Sequence, residues 1–190
     1  MAIKPRLGRG FNLRALVRVL AWISLAFGVG QPVQSFAMEV RSAGGPPTLI
    51  VQAPEGCIVG GKNHNQLLLG QSAMLDIMVE TATEAKGVML GTSGVLDQIA
   101  TNVFNSLAAA GPNLTTDPVP SGIETIATRT AYFYRGAATN KDGVRIDVSM
   151  WIIAIDNTHK GFIRVAGRRG EPSIKVLEGV ARAASLDDLK

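Results

Sequence analysis

One stretch of the sequence nearly matches a phosphate-binding loop. Residues Gly56–Asn63 read GCIVGGKN and approach the pattern G-x-x-x-x-G-K-[S/T], in which glycine amides and a lysine hold phosphates. The pattern also needs a hydroxyl at its last position to bind magnesium and a helix that opens directly afterwards. Asn63 replaces the hydroxyl residue, and the following HNQLLLG favours loop and strand. We therefore interpret Gly56–Asn63 as a connector between strands and predict no nucleotide cofactor.

Cys57, His64 and His159 are the remaining candidates for a metal site or a catalytic thiol. A structural metal site usually takes four ligands at compact spacing, and a catalytic thiol needs a base at hydrogen-bonding distance. The two histidines lie far apart in the chain, so the spacing meets neither demand. Asp147 could serve in an acid–base pair, but Arg145 beside it on the same strand face favours a simple charge pair. The sequence predicts no catalytic residue and no metal ligand.

The first 37 residues have the three-part form of a secretory signal peptide. Five basic residues and no acidic residue precede the uncharged run Val19–Val29, and Ser35-Phe36-Ala37 places small residues where a signal peptidase reads. We predict cleavage between Ala37 and Met38. As a helix this run would rise about 16 Å, short of a hydrocarbon core about 30 Å thick. A permanent transmembrane span is therefore the poorer interpretation. An uncleaved anchor in the inner membrane is the alternative to cleavage.

Removal of this leader reverses the sign of the net charge. The whole chain has 19 Lys+Arg and 15 Asp+Glu, and five of the basic residues lie in the leader, which leaves 14 against 15. A nucleic-acid-binding protein would keep a basic face after processing, so this class is excluded. The single cysteine excludes an internal disulfide. We expect an exported protein that is periplasmic or secreted.

The rest of the sequence predicts one α+β domain. We expect a mobile lead-in over 38–47, the domain over 48–186 and a polar tail over 187–190. The central stretch is Gly143–Gly167, where alternating apolar residues predict a long strand, a polar turn at Asp156–Gly161 and a return strand. The far half of the long strand is apolar on both sides, so it needs cover on both faces of the sheet.

The remaining elements follow from hydrophobic periodicity and from the residues that begin and end helices. Their order of strands, helix, antiparallel strands and helix predicts an antiparallel sheet with a mid-chain helix and a C-terminal helix packed on it. The predicted elements are strands at Thr48–Ala53 and Leu67–Thr81 with loop at Cys57–Asn65 between them, a helix from Thr92-Ser93 to Gly111-Pro112, a strand or strand pair at Ile123–Gly136, and a helix at Pro172–Leu186.

This pattern resembles the PsbP/Mog1/DcrB-like family. The resemblance rests on the opening strand, the helix LDQIATNVFNSLAA, the hairpin WIIAIDNTHKGFIRVAG and the closing helix IKVLEGVARAASL, and it covers about Thr48–Leu186. It implies a mostly non-enzymatic protein, because the family comprises photosystem assembly and stabilising factors, a small-GTPase partner and bacterial envelope proteins, several of them lipid-anchored. This chain lacks the lipid-accepting cysteine of the last group. The resemblance carries over no functional residue.

Two surface features are candidate interaction sites. The first is a basic patch at the tip and exit of the hairpin, which could meet an acidic partner or anionic lipid headgroups. The second is an apolar groove, which forms only if the closing helix leaves that face open. The alternatives are a solvated hairpin end and burial under the helix. The basic patch comprises Lys160, Arg164, Arg168, Arg169 and Lys175, and the groove comprises Tyr132, Tyr134, Trp151 and Ile153.

The sequence favours an exported, non-catalytic envelope protein that binds another protein or helps to assemble a complex. Its partner would be another envelope protein, and peripheral contact with a membrane stays open. A carrier of a small apolar or amphipathic ligand is the alternative. A hydrolase of unknown substrate is the third interpretation.

Overall fold

The computed structural model describes residues 38–43, 46–110, 115–116, 118–139 and 143–188. The predicted signal peptide, residues 1–37, lies outside this part of the chain, and so does Ala37 at the predicted cleavage position. Within the described part, no helix is long and apolar enough to cross a membrane.

The described residues form an α+β domain, which confirms the predicted fold class. Strands dominate, and the helices lie between them and near the C-terminal end. In chain order the elements are β1 (Met38–Arg41), β2 (Thr48–Ala53), β3 (Ile58–Gly60), β4 (Gln66–Leu69), β5 (Ala73–Thr81), α1 (Ala85–Met89), α2 (Ser93–Ala110), β6 (Thr115–Thr116), β7 (Val119–Ile126), β8 (Arg129–Thr139), β9 (Arg145–Ala154), β10 (His159–Arg168), α3 (Ser173–Arg182) and β11 (Ser185–Asp187).

Most strands belong to one large antiparallel sheet with the predicted hairpin at its centre. Among the described residues this sheet has eight strands, in the order β3-β4-β5-β10-β9-β8-β6, and β7 also pairs with β8. β9 and β10 are the outgoing and return strands predicted within Gly143–Gly167. The Asp156 carboxylate holds the turn between them by accepting hydrogen bonds from the backbone N–H groups of Thr158 and His159 at 2.7 and 2.8 Å.

The sheet is covered on both faces around β9, as the sequence predicted. Trp151 and Ile153 point to one face, which packs against α3 and the small sheet described next, and we call it the α3 face. Met150 and Ile152 alternate with them and point to the other face, which packs against α1 and α2, and we call it the α2 face. All four side chains are 0% exposed. β9 therefore contributes side chains to both hydrophobic cores, as its neighbours β8 and β10 also do.

A second, smaller sheet joins the two ends of the described domain. β1 and β11 both pair with β2, in the order β1-β2-β11. The lead-in 38–47 was predicted to be mobile, but Met38–Arg41 is a strand, and its Val40 is only 1% exposed. A strand of four residues with a single buried side chain is too short for its alternation to be recognised in a sequence.

The closing helix is shorter than predicted. α3 covers Ser173–Arg182 instead of Pro172–Leu186, and the chain then forms β11, which includes Asp187 from the predicted polar tail. Ala184 lies beyond the helix, yet it is buried in the same core as Leu177 and Ala181. Because the buried positions continue past Arg182, the apolar periodicity could not mark where the helix ends.

The region before β5 contains more strand than predicted. The expected loop Cys57–Asn65 includes β3, which pairs with β4. The single strand expected over Leu67–Thr81 is divided into β4 and β5 by a turn at Gly70, whose φ of +67° suits glycine. The sheet therefore gains two short strands at the β5 side.

The mid-chain helix agrees with the prediction, and a second short helix precedes it. α2 lies between the predicted limits, and Leu96 and Ile99 on its buried stripe are 4% and 5% exposed. Phe104, at 0% exposed, belongs to the same buried stripe. α1 was missed because its five residues are too few to show a helical period.

We predict that Gly161→Ala destabilises the domain. A Cβ at Gly161 would lie 2.7 Å from Cδ1 of Leu49, a side chain that is 0% exposed and cannot move aside freely. Overpacking of this kind costs about 1–3 kcal/mol. The free energy of unfolding in urea measures it.

Gly179→Ala is the matched control for this substitution. Gly179 lies in α3, and a Cβ there would meet nothing within 4 Å. Alanine should stabilise the helix by about 0.5–1 kcal/mol. Equal stability changes in the two variants would contradict the packing described at Gly161.

Candidate functional site

The basic residues predicted as one partner surface do not form one patch. Lys160 and Arg168 lie near opposite ends of β10, about 26 Å apart at about 3.3 Å per residue. Lys160 is only 4% exposed, and its ammonium lies 5.4 Å from the centre of the Phe162 ring. The ammonium also lies 3.6 Å from the Glu80 carboxylate and contacts that of Glu84, whose pKa is lowered by the hydrogen bond from Lys160. Lys160 is thus neutralised, and the tip of the hairpin is not basic.

Arg164 is also paired inside the sheet. Its Nε and Nη2 lie 2.7 and 2.6 Å from Oδ2 of Asp76, and Gln66 donates a hydrogen bond to Oδ1 of the same carboxylate at 2.7 Å. The side chains of Arg164 and Asp76 are only 19% and 14% exposed. This row ties β10, β5 and β4 together and leaves Arg164 little freedom to bind a partner.

The other three residues of the predicted basic patch lie near the end of β10, where the chain leaves the hairpin. Arg168 and Arg169 are exposed where β10 ends, and Lys175 is exposed on α3. The backbone N–H of Arg169 donates to the carbonyl of Arg145 at 2.9 Å, which places a further arginine at the same end of the sheet. The basic pole of the domain therefore lies opposite the hairpin turn.

The predicted apolar groove is not formed, because its four residues lie on opposite faces of the sheet. Phe133 pairs directly with Trp151, so Tyr132 and Tyr134 point to the α2 face while Trp151 and Ile153 point to the α3 face. Trp151 and Ile153 are 0% exposed, and Tyr134 is 4% exposed. The sequence showed the alternation within each strand, but it could not show the register between β8 and β9.

Tyr134 connects the sheet to α2. Its hydroxyl donates a hydrogen bond to Asp97 at 2.9 Å. Burial, with a further contribution from this hydrogen bond, raises the pKa of Tyr134, so the hydroxyl stays protonated and continues to donate. The Asp97 carboxylate therefore fastens α2 to β8.

A stack of aromatic rings and an arginine occupies the α3 face where the groove was expected. The rings of Phe133 and Trp151 stack with centroids 4.8 Å apart, and the Arg182 guanidinium lies 5.7 and 5.2 Å from their centres. Glu124 accepts hydrogen bonds from Trp151 Nε1 at 2.9 Å and from Arg182 Nε at 3.0 Å. The buried indole N–H is therefore satisfied inside the domain.

A groove with a volume of about 650 Å³ opens near this stack, between the start of α3 and the first half of β9. Its lining includes three basic side chains, Arg135, Arg169 and Lys175. Three carboxylates also line it. We call it the α3 groove. Two of the residues predicted for the basic patch, Arg169 and Lys175, thus meet in one concave site.

Among the described residues, no helix or strand covers the α2 face near its β3 edge. α1 and α2 pack on β8, β9 and β10, and further along the sheet Ile58 pairs with Leu68 and Leu68 with Met74. Met78 pairs with Phe162 and points to the same face. Ile58, Leu68 and Met78 are 66%, 39% and 37% exposed, and Met74 is half-buried. We call the surface formed by Ile58, Leu68, Met74 and Met78 the open face.

The sequence contained part of the signal for the open face. Met74 and Met78 lie on the side of β5 that carries Asp76, opposite the buried Leu75 and Ile77. Apolar and polar residues therefore alternate along this side of the strand. Ile58 was missed because it lay in a predicted loop.

The phosphate-loop-like stretch has no phosphate-binding geometry. Gly56–Asn63 contains β3 and a turn, and β4 follows instead of a helix. Cys57 is half-buried, and burial raises the pKa of its thiol, which is opposite to the shift that activates a nucleophile. His64 lies in the same turn with a φ of +54°.

The other candidates for chemistry are held in local contacts. Nδ1 of His159 lies 2.9 Å from Oδ2 of Asp156 within the hairpin turn, and Arg145 Nε lies 3.5 Å from Oδ1 of Asp147. In the part of the chain that the structure describes, no group of three His, Cys, Asp or Glu could hold a metal ion. His159 and Asp147 are therefore each paired with a neighbouring charged side chain, which explains their positions without a catalytic role.

The architecture is that of the PsbP/Mog1-like fold, and the resemblance inferred from the sequence is confirmed at the level of the fold. LpqN, involved in cell envelope biogenesis of Mycobacterium tuberculosis, is similar with a TM-score of 0.54 and 12% identity over 78% of this chain and 90% of that chain. Cyanobacterial PsbP (CyanoP) from Synechocystis sp. PCC 6803 is similar with a TM-score of 0.57 and 12% identity over 84% and 98%. No protein-family model and no curated protein sequence matches the chain.

We predict that the Asp156 turn loses its stabilising effect in acid. Partial burial raises the pKa of Asp156, but hydrogen bonds from Thr158 and His159 outweigh it and lower this pKa to about 2. Because the value in an unfolded chain is about 3.9, the ionised carboxylate stabilises the fold above about pH 4, and this contribution disappears as the pH falls through 2. Asp156→Ala should cost about 1 kcal/mol at neutral pH.

The measurement is urea unfolding of the native protein and the Asp156→Ala variant between pH 2 and pH 7. The difference in stability should be constant above pH 4 and shrink below it. Asp156→Asn is the control, because it keeps an acceptor oxygen but has no charge to titrate. A difference that grew towards low pH would contradict the assignment.

Proposed function

We propose that this protein is an exported, non-catalytic envelope factor that binds another protein through the open face. The observation that carries the proposal is the row of uncovered apolar side chains on a sheet face that helices cover elsewhere. Ile58, Leu68 and Met78 would each be unremarkable alone, since single exposed apolar residues are common. Here the pairing of the strands makes Ile58, Leu68 and Met74 neighbours in one cross-strand row, and Met78 lies on the same face beyond Asp76.

The composition of the open face suits a protein partner. Methionine side chains are flexible and polarisable, so Met74 and Met78 can adapt to the shape of an opposing surface. The row Gln66, Asp76 and Arg164 crosses the same face and is internally neutral. The expected partner surface is therefore apolar at its centre, with hydrogen-bonding groups and little net charge, which is typical of protein interfaces.

Two other candidates, the hairpin tip as a docking site and the carrier of an apolar ligand, have less support than the open face. The hairpin tip is a poor docking site because Lys160 and Arg164 are already paired with carboxylates. The carrier interpretation depended on the residues of the apolar groove, and Trp151 and Ile153 are enclosed under α3. The leader supports export, and the role of LpqN in cell envelope biogenesis supports an envelope process, although only its fold is shared with this chain.

We predict that charges on the open face abolish partner binding. The double variant Ile58→Lys/Leu68→Lys would place two ammonium groups in the apolar centre of the interface, where they would be desolvated without partners. The tagged protein would be cross-linked in the envelope of its own host and recovered by affinity. We expect a specific partner with the native protein and at least a tenfold loss with the double variant.

Val176→Lys is the matched control, because Val176 is 48% exposed but lies on α3, away from the open face. It should recover the partner as the native protein does. Urea unfolding of all variants would show that the domain is folded. Equal recovery with the native protein and the double variant would exclude the open face as the binding surface.

A further inference from the structure

The α3 groove contains basic side chains that the domain itself does not neutralise. Arg169 and Lys175 are exposed and have no carboxylate partner among the described ion pairs. Arg135 is 59% exposed, and its closest carboxylate oxygen, on Glu178, lies at 3.9 Å, the limit of an ion pair. Three cations thus line one concavity with most of their hydrogen-bonding capacity unused.

The carboxylates of the α3 groove are occupied by other partners. Glu178 accepts a hydrogen bond from the Ser149 hydroxyl at 2.5 Å and lies 3.7 Å from Arg182 Nη1. Glu171 accepts from the Ser173 hydroxyl at 3.1 Å. Asp147, the third carboxylate, is already paired with an arginine at the edge of the sheet. Asp147 and Glu178 therefore lie close to arginines other than Arg169, whereas Glu171 accepts only from a neutral hydroxyl and offsets part of the positive charge of Arg169 and Lys175.

We propose that the α3 groove binds a soluble small molecule that carries a phosphate or carboxylate group. Arg169 and Arg135 offer planar guanidinium donors that suit both oxyanions, and Lys175 adds a point charge. The side chains of Ile174 and Pro172 form an apolar wall for the uncharged part of the ligand. This site is separate from the open face, so it does not depend on the proposed function.

The shape of the α3 groove favours a small soluble ligand over a membrane surface. Its volume of about 650 Å³ lies within the range of about 300–1,000 Å³ that is usual for small-molecule sites. A planar anionic membrane would bring many phosphates towards Asp147, Glu171 and Glu178 together with the cations. A single anionic group that enters the concavity avoids this repulsion, and the nearby Arg145 and Arg168 still attract it over a longer range.

The test measures binding of glycerol 3-phosphate and citrate to the purified protein by isothermal titration calorimetry at low salt. These probes represent a phosphate and a carboxylate, each on a small polar frame. We expect saturable binding of at least one probe, weakened at least tenfold by the double variant Arg169→Gln/Lys175→Gln. Binding should also weaken as the salt concentration rises.

Lys62→Gln is the matched control for the loss of positive charge, because Lys62 is exposed in the turn after β3, away from the groove. It should bind the probe as the native protein does. The Ile58→Lys/Leu68→Lys variant should also bind normally, so failure at one site is distinguishable from failure at the other. Unfolding in urea would confirm that each variant is folded.

Flotation with vesicles of phosphatidylglycerol or phosphatidylcholine distinguishes the source of the anion. We expect no stronger flotation with phosphatidylglycerol than with phosphatidylcholine. Flotation on phosphatidylglycerol that required Arg169 and Lys175, without binding of either soluble probe, would overturn the proposal in favour of a membrane surface. Absence of binding to both probes and both vesicles would overturn it entirely.

Discussion

The structure depends on the double-sided burial of β9. A strand alternates its side chains between two faces, so a strand that is apolar on both sides forces the protein to build two covers. Trp151 and Ile153 need one cover, and Met150 and Ile152 need the other. The α3 helix with the small sheet supplies the first, and α1 and α2 supply the second. All other features of the domain are arranged around these two contacts.

The two covers are unequal, and this inequality leaves exposed the open face, to which we assign partner binding. On the α3 face, the helix and the small sheet together span the sheet, and Arg182 and Glu124 fasten the helix to the ring of Trp151. On the α2 face, the helices reach only as far as β10. The sheet continues beyond them through β5, β4 and β3, and the apolar side chains there remain in contact with solvent. A surface left open beside a completed core can serve binding without destabilising the fold.

The central elements were predictable because each is long enough to show its period. The β9–β10 hairpin and α2 have clear alternation or a clear apolar stripe, and their order already indicated the fold. Short elements were not predictable, because β1, β3 and α1 contain too few residues for a pattern. The candidate site was harder still. The prediction that Tyr132 and Trp151 line one groove was wrong. The register between β8 and β9, which puts them on opposite faces, is a tertiary property that neither strand encodes alone.

The sequence also could not show which basic side chains are available for binding. Lys160, Arg164 and Arg169 look equivalent in the sequence, yet one is buried between two glutamates, one is locked to an aspartate and one is exposed in a groove. Cross-strand neighbours decide which of them is available. Only the full register of β5, β10 and β9 distinguishes a structural cation from one that can bind a ligand.

The small sheet has a consequence for when the domain can form. β2 lies between β1, at the start of the domain, and β11, near its C-terminal end, so Ile50 pairs with Ser185. Among the described residues, β2 therefore lacks its second neighbour until Ser185–Asp187 has been synthesised. The hydrophobic core on the α3 face cannot close on a nascent chain before that point, because it joins segments that are distant in the sequence.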